Sequence, residues 1–474
     1  MTRRELLAAI PLVAVRAASH GPLRIGDDLQ LFVDDYFIES MRGVSLVPQT
    51  PVSAGRVVEF DQPWEGNVSL YGTVFQDGAK YRMYYRGWSL PEYTNRGLLK
   101  PGEVVHPKND GQTCYAESDD GIRWTKPELA LKEFNGSTRN NVIWLGEGSH
   151  NFAPFLDTNP AAPASERYKA VGGSRQLYAW RSADGIRWEL IRKEPILTDG
   201  AFDSLNVAFY DTRLQRYVAI YRDFRQGVRT LKRAESADFL QWSPGVWADY
   251  GGAPKEQLYT NATTPYFRAP QIYVAFPKRF VNWRTPPSGQ PLSGISETVF
   301  MTSRDGVRWD RRFMEAFIRP GRDPRNWVHR TNMVMTGVVP TAPDEISIYV
   351  QRHYNFPSCH VERMTLRTDG FVAARAGYGG GELLTRPFIM EGHKMVLNYA
   401  TSAAGSIRYE VLDENRRPHP GLGIEESPVI FGDEIERSID VRPPARNERS
   451  RMAAHPVRVR FLLKDADLFS VRFV

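Results

Sequence analysis

Cysteine is nearly absent, with only Cys114 and Cys359 in 474 residues. Neither a CxxC pair nor a Cys/His ligand spacing is present, which removes structural zinc and thiol redox chemistry. Also missing is any uncharged apolar run of about 18 residues, so no membrane span is expected. Charge of one sign is not concentrated: 61 Lys and Arg stand against 55 Asp and Glu, a formal net charge of +6. No compact basic run is interleaved with aromatics, which argues against nucleic acid as a partner. Much of the excess lies in Arg437, Arg442, Arg446, Arg449 and Arg451, whose proline and acidic neighbours suggest a solvated loop.

What the chain has is turn formers and aromatics: 38 Gly, 33 Pro, 21 Tyr, 24 Phe and 11 Trp. Such a composition favours short strands joined by turns over long helices. At the N-terminus Arg3-Arg4 precedes an apolar stretch from Leu6 to Val15, and Val15-Arg16-Ala17 offers a cleavage site. Residues 1–17 therefore read as an export leader resembling the twin-arginine type, and the protein is expected in the periplasm or outside the cell.

A recurring Ser/Thr-x-Asp-Gly-x-x-Trp sets the architecture. It stands at Ser118–Trp124, Ser182–Trp188 and Ser303–Trp309, with a variant at Ser236–Trp242 and a degenerate copy from Thr368 to Phe371. In each copy Asp-Gly makes a tight turn, with Gly at positive φ, and Trp opens a returning strand. Two further strand signals stand upstream, seen in Val68–Phe75 and Lys80–Tyr85, and again in Asn206–Tyr210 and Arg216–Tyr221. Four antiparallel strands per unit make a propeller blade. The chain thus reads as all-β: a five-bladed propeller over residues 18–375, with a segment from Leu23 to Arg56 that covers or closes the ring. A C-terminal β-sandwich over 376–474 follows, where Met395–Tyr399, Ile407–Leu412 and Val457–Leu463 alternate with polar residues.

A five-bladed propeller with these hairpins followed by a sandwich resembles the secreted glycoside hydrolases of families 32 and 43. The resemblance implies a glycosidase, with a carbohydrate substrate and three acidic groups at the mouth of a central funnel. It implies no cofactor beyond a possible structural calcium. In a propeller, polar residues just before the innermost strands converge although far apart in sequence. That criterion selects Asp61, Glu65 and Asn67, then His150 and Asn151, then Asp203 and Asn206, then Glu256 and Asn261, and finally Arg330.

Glycoside hydrolysis needs a protonated acid and a second carboxylate, about 5 Å apart for retention and about 6.5–9.5 Å for inversion. Asp203, Glu65 and Glu256 are the catalytic candidates. Asp203 resembles the third-blade aspartate of family 43, which orients and tunes the acid. The family's first-blade aspartate falls near Ser69 or Leu70 here, and its fourth-blade glutamate nearer Asn261 than Glu256. Asp61, Asn67, His150, Asn151, Asn206, Asn261, Arg279 and Arg330 are candidates for holding sugar hydroxyls or a carboxylate, and Trp88, Trp283 and Trp327 for stacking on a pyranose. Two other functions remain open: a non-catalytic glycan-binding propeller, and a propeller using phosphate as acceptor.

Overall fold

The computed structural model describes residues 21–90, 111–287 and 293–474; the leader read from residues 1–17 lies outside them. Two compact units divide the chain, one spanning Pro48–Thr368 and the other formed by residues up to Val47 together with Asp369–Val474.

The first unit is a five-bladed propeller. Blade one carries strands Leu70–Asp77, Lys80–Gly87, Gln112–Ser118 and Val142–Trp144, paired in that order. Blade two follows with Ala153–Leu156, Tyr168–Gly172, Tyr178–Ser182 and Glu189–Leu190, and blade three with Val207–Asp211, Arg216–Arg225, Val228–Ser236 and Val246–Trp247. Blade four is built from Thr264–Tyr266, Ala269–Ala275, Met301–Ser303 and Trp309–Asp310. An extra hairpin, Lys278–Val281 with Ile295–Thr298, is inserted into it.

Blade five takes Met333–Val334 and Val339–Ala342 against Glu345–Arg352, then His360–Arg367, and completes itself with Val52–Glu59 from ahead of blade one. The degenerate fifth copy of the repeat lacks the Trp that opens an outer strand, and the N-terminal segment supplies that strand.

The repeat works as a local hydrogen-bonded knot. In the first copy Ser118 Oγ accepts from Gly121 N at 2.9 Å, Asp120 Oδ1 accepts from Ile122 N and Arg123 N at 2.8 Å, and Trp124 Nε1 donates to the Gly121 carbonyl at 3.2 Å. Gly121, Gly185 and Gly306 take φ of 71°, 75° and 72°, and in the variant copy Phe239 is forced to 69°.

Tyrosines tie two of the knots to the neighbouring blade: Tyr349 of blade five donates to Gly121 O, and Tyr84 of blade one to Gly185 O. A second ladder runs from Tyr168 to Asp77, Tyr217 to Asp157 and Tyr273 to Asp211, each joining one blade to the one before it. Because Tyr349 is fully buried, Tyr349→Phe removes one of the two donors to the Gly121 carbonyl, leaving Trp124 Nε1 alone, and is expected to cost about 1 kcal/mol. Urea unfolding of the two proteins measures it; an unchanged midpoint would show that the tie contributes nothing.

In the second unit, Lys394–Leu412 and Arg458–Phe473 pair along their length. The two strands expected at Met395–Tyr399 and Ile407–Leu412 are one, with register shifts between Asn398 and Tyr399 and between Thr401 and Ser406, the second where small residues interrupt the alternation. Its sheets enclose one apolar core that includes Phe32, Phe37, Phe388, Tyr399, Phe461 and Phe473, as a β-sandwich requires. The division differs from the expected break at 375/376. Gln30–Leu31 pairs with Arg458–Phe473 and Ile38–Arg42 with Gly381–Thr385, so the segment before Val47 belongs to this unit, and only Val52–Glu59 closes the ring. Of the C-terminal arginines only Arg442 lies in a loop: Arg437 belongs to the strand Asp433–Asp440 and Arg446 and Arg449 to the helix Arg446–Ala454, all four solvated.

Candidate functional site

Around the propeller axis the later halves of the inner strands, such as Phe75, Phe155, Phe209 and Val338, line a largely apolar channel of about 460 Å³. Polar chemistry gathers at the opposite end, where inner strands begin and second strands end. All five blades and the loops entering them contribute: Tyr71 and Arg86, then His150, then Asp203, Arg222 and Arg229, then Tyr259 and Lys278, then His329, Arg330 and Tyr354.

The backbone fixes these groups. Tyr71 takes a left-handed φ of 56° in the register shift between Leu70 and Thr73, a strained conformation for a bulky residue. Arg86 and Arg222 lie in the later parts of the second strands of blades one and three. Each donates back to the loop that feeds its inner strand, Arg86 to Val68 O at 3.0 Å and Arg222 to Ala201 O at 2.9 Å.

Asp203 Oδ1 lies 3.2 Å from His150 Nε2, with 58% of the Asp203 side chain open to solvent. Behind it Arg86 Nη1 stands 3.1 Å from His150 Nδ1, and the guanidinium carbon lies 4.9 Å from the Tyr71 ring centre and 4.6 Å from that of Trp88. Across the basin Arg330 Nη1 donates to Tyr354 Oη at 3.4 Å. The Tyr259 ring carries three cations, Lys278 Nζ at 3.9 Å and the guanidinium carbons of Arg222 and Arg229 at 4.9 and 5.2 Å.

Electrostatics follow from that packing. The hydrogen bond from His150, reinforced by the charges of Arg222 and Arg330, holds the Asp203 carboxyl well below the usual carboxylate range against the opposing effect of burial. It is therefore an ionised carboxylate and a poor proton donor. Burial, then Tyr259 and Asp203, push the Tyr71 phenol well above its ordinary value. Lys278 is fully buried and its Nζ has no hydrogen-bond partner; burial, with Arg330, Arg229 and Arg222 alongside, drives its amine well below the ordinary lysine range.

Of the sequence candidates, the structure brings Asp203, His150 and Arg330 together here. Glu65 is elsewhere, buried within blade one, where its carboxylate meets Tyr85 Oη at 2.5 Å and Lys126 Nζ at 2.7 Å; Asp61 shares that lysine at 3.0 Å. Glu256 is paired with Arg279 at 2.9 Å and Arg311 at 2.5 Å, in a separate cleft on blade four. The expected triad of acids is thus not assembled, because only Asp203 faces the axis.

The asparagines are taken up by backbone. Asn67 bonds both ways with Leu90, Asn151 donates to Gly173, Phe202 and Ser204, Asn206 donates to Phe202 and Ser204, and Asn261 holds Ile220 and Thr263. They staple the loops that enter the blades. Trp88 is buried beneath Arg86 and offers no stacking face.

Tyr71, Arg86, Arg222, Arg229, Lys278 and Tyr354 are absent from the sequence-level candidates, whereas Tyr259 and His329 stand in the pre-strand stretches that hold Asn261 and Arg330. A signal was present for two of them: Tyr85-Arg86 and Tyr221-Arg222 recur in the second strands of different blades. Among the described residues no group of three His, Cys, Asp or Glu side chains is placed to hold a metal ion.

No protein-family model matches the chain, and no curated protein is similar to it in sequence. Among solved structures the chain is similar to a glycoside hydrolase at 16% identity, covering 67% of this chain and 92% of that one with a TM-score of 0.44. It is also similar to a glycoside hydrolase family 43 arabinoxylan arabinofuranohydrolase from Bacillus subtilis, at 10% identity over 89% and 99% of the two chains, TM-score 0.40. A fructofuranosidase from Schwanniomyces occidentalis is similar at 9% identity over 88% and 96%, TM-score 0.40. At these identities the likeness is one of fold.

Proposed function

We propose that the chain is an exported protein that acts on an acidic glycan, whose anionic sugar enters the axial basin. One observation carries this reading: Arg86, Arg222, Arg229, Lys278 and Arg330 converge from four blades on a basin whose solvent-facing carboxylate is Asp203. Arg229 and Arg330, only part-buried, are placed to fork onto a carboxylate, whereas Arg86 and Arg222 beneath them supply field, and an anion in the basin would favour the charged form of Lys278. Like groups held this close repel one another, and an anion relieves that repulsion.

Bond cleavage is the second part of the reading, favoured by the ionised and exposed Asp203. A carboxylate in that state fits a base or a nucleophile, and the proton for the leaving oxygen then comes from a neutral donor such as the Tyr71 phenol. Binding and cleavage separate in one experiment. Purified protein is titrated with polygalacturonate, a sulfated galactan and a neutral xylan, and products are followed with and without inorganic phosphate. Asp203→Asn is expected to retain binding of the acidic polymer and to lose cleavage. Equal affinity for the neutral xylan would sink the anionic reading, cleavage retained by the variant would remove Asp203 from the chemistry, and cleavage that requires phosphate would make phosphate the acceptor.

A further inference from the structure

Beside the axial basin, on the outer side of the blade-four hairpin, lies a second concavity of about 460 Å³, within the range of about 300–1,000 Å³ usual for small-ligand sites. Trp283 and Trp327 are among its lining residues, and Glu256, Arg279 and Glu297 also line it. Trp283 leaves 77% of its surface in water, an unusual place for the largest apolar side chain unless its face meets a ligand. Trp327 is pinned, its indole Nε1 donating to Gly321 O at 2.8 Å.

The cleft and the basin share their walls. Lys278 belongs to the basin and Arg279, the next residue, to the cleft; Arg330 N donates to Ser296 Oγ at 3.2 Å while Glu297 faces the cleft; Trp327 precedes His329 and Arg330 by two and three residues. Gln257 lines the cleft and accepts from Arg229 N at 3.0 Å, and the Arg229 guanidinium carbon lies 5.8 Å from the ring of Phe280, another cleft residue. A chain molecule leaving the basin past Arg229 therefore enters the cleft.

Charge distinguishes the two. In the cleft Arg279 is held between Glu256 and Glu297, and Glu256 also meets Arg311; with Lys255 and Arg284 the lining sets three bases against two acids, far nearer balance than the basin, where Asp203 faces several cations. Both carboxylates keep about a fifth of their surface open, 21% for Glu256 and 22% for Glu297, leaving lone pairs for hydroxyl donors. We infer that the cleft is a second saccharide subsite, holding an uncharged pyranose linked to the acidic residue in the basin, with Trp283 as its stacking platform. The inference rests on the axial reading above. It makes the ligand a mixed glycan in which an acidic sugar neighbours a neutral one.

Calorimetric titration tests it with two probes: glucuronic acid alone, and aldobiouronic acid, in which glucuronic acid is joined to a neutral xylose. Wild-type protein is expected to bind the disaccharide more tightly. Trp283→Ala, at an exposed position, is expected to weaken the disaccharide about five- to tenfold, the worth of one stacked ring, and to leave glucuronic acid unchanged. Equal affinity of the wild type for the two probes overturns the subsite and leaves the axial reading standing, as does a Trp283→Ala variant that binds the disaccharide normally. Binding of neither probe by the wild type overturns both.

Discussion

Arg330→Ala is expected to weaken the binding of an acidic glycan by about 30- to 1,000-fold, equivalent to about 2–4 kcal/mol for a largely desolvated cation facing an anion. The effect is large because this guanidinium sits at the junction of three phenols, Tyr354, Tyr259 and Tyr71, where water screens poorly. Its φ of 61° marks a backbone bent to place it. Arg330→Lys keeps the charge and loses the planar fork, so it is expected to recover only part of the affinity. Titration with polygalacturonate at low and high salt measures both. Wild-type affinity in the alanine variant would end the proposal that the basin receives the anion.

A second large effect is expected far from the axis. Glu65 is closed to solvent, its side chain 0% exposed, and its charge is answered by Lys126, by Tyr85 Oη and by Gln62 N. Lys126→Met strands that carboxylate and is expected to cost about 3–5 kcal/mol at pH 8. Burial already raises the Glu65 carboxyl above the ordinary glutamate value, with Lys126 the main opposing influence. The folded state then holds this proton more firmly than the unfolded state. Its stabilising contribution is present below the unfolded pKa and is lost as pH rises through the folded one. Removing Lys126 raises the folded value further, so the deficit should be smaller at pH 5 than at pH 8. Urea unfolding at the two pH values decides this, and Lys126→Met combined with Glu65→Gln should recover most of the loss at pH 8. A deficit independent of pH would place the damage outside the Glu65 pair.

The repeat was legible in the sequence because its physics is local. Ser118, Asp120, Gly121 and Trp124 satisfy one another within seven residues, and such a unit leaves the same trace wherever it recurs. The axial site left little trace, because Tyr71, Arg86, Arg222 and Lys278 read as ordinary strand and hairpin residues until the ring brings them together. Proximity to a strand start misled for Glu65 and Glu256, which stand a few residues ahead of inner strands but find cations away from the axis. The asparagines carried a different lesson. Asn151, Asn206, Asn261 and Asn332 each precede an inner strand, and a residue so repeated serves the need that every blade shares, which is backbone satisfaction. The Tyr-Arg pair, by contrast, recurs in the second strands of blades one and three.

Closure of the ring by Val52–Glu59 bears on how the protein is made. Blades one to four each use contiguous chain and can form in order as a nascent polypeptide emerges from the ribosome. The fifth waits for His360–Arg367 to meet a strand synthesised some 300 residues earlier, with Val52 against Thr365 and Glu59 against His360. Loop entropy makes such a union only modestly costly, since the penalty grows with the logarithm of the span, yet until it forms the early strand keeps an unpaired edge. The axial basin, to which Arg330 and Tyr354 of blade five contribute, is complete only after that latch has shut.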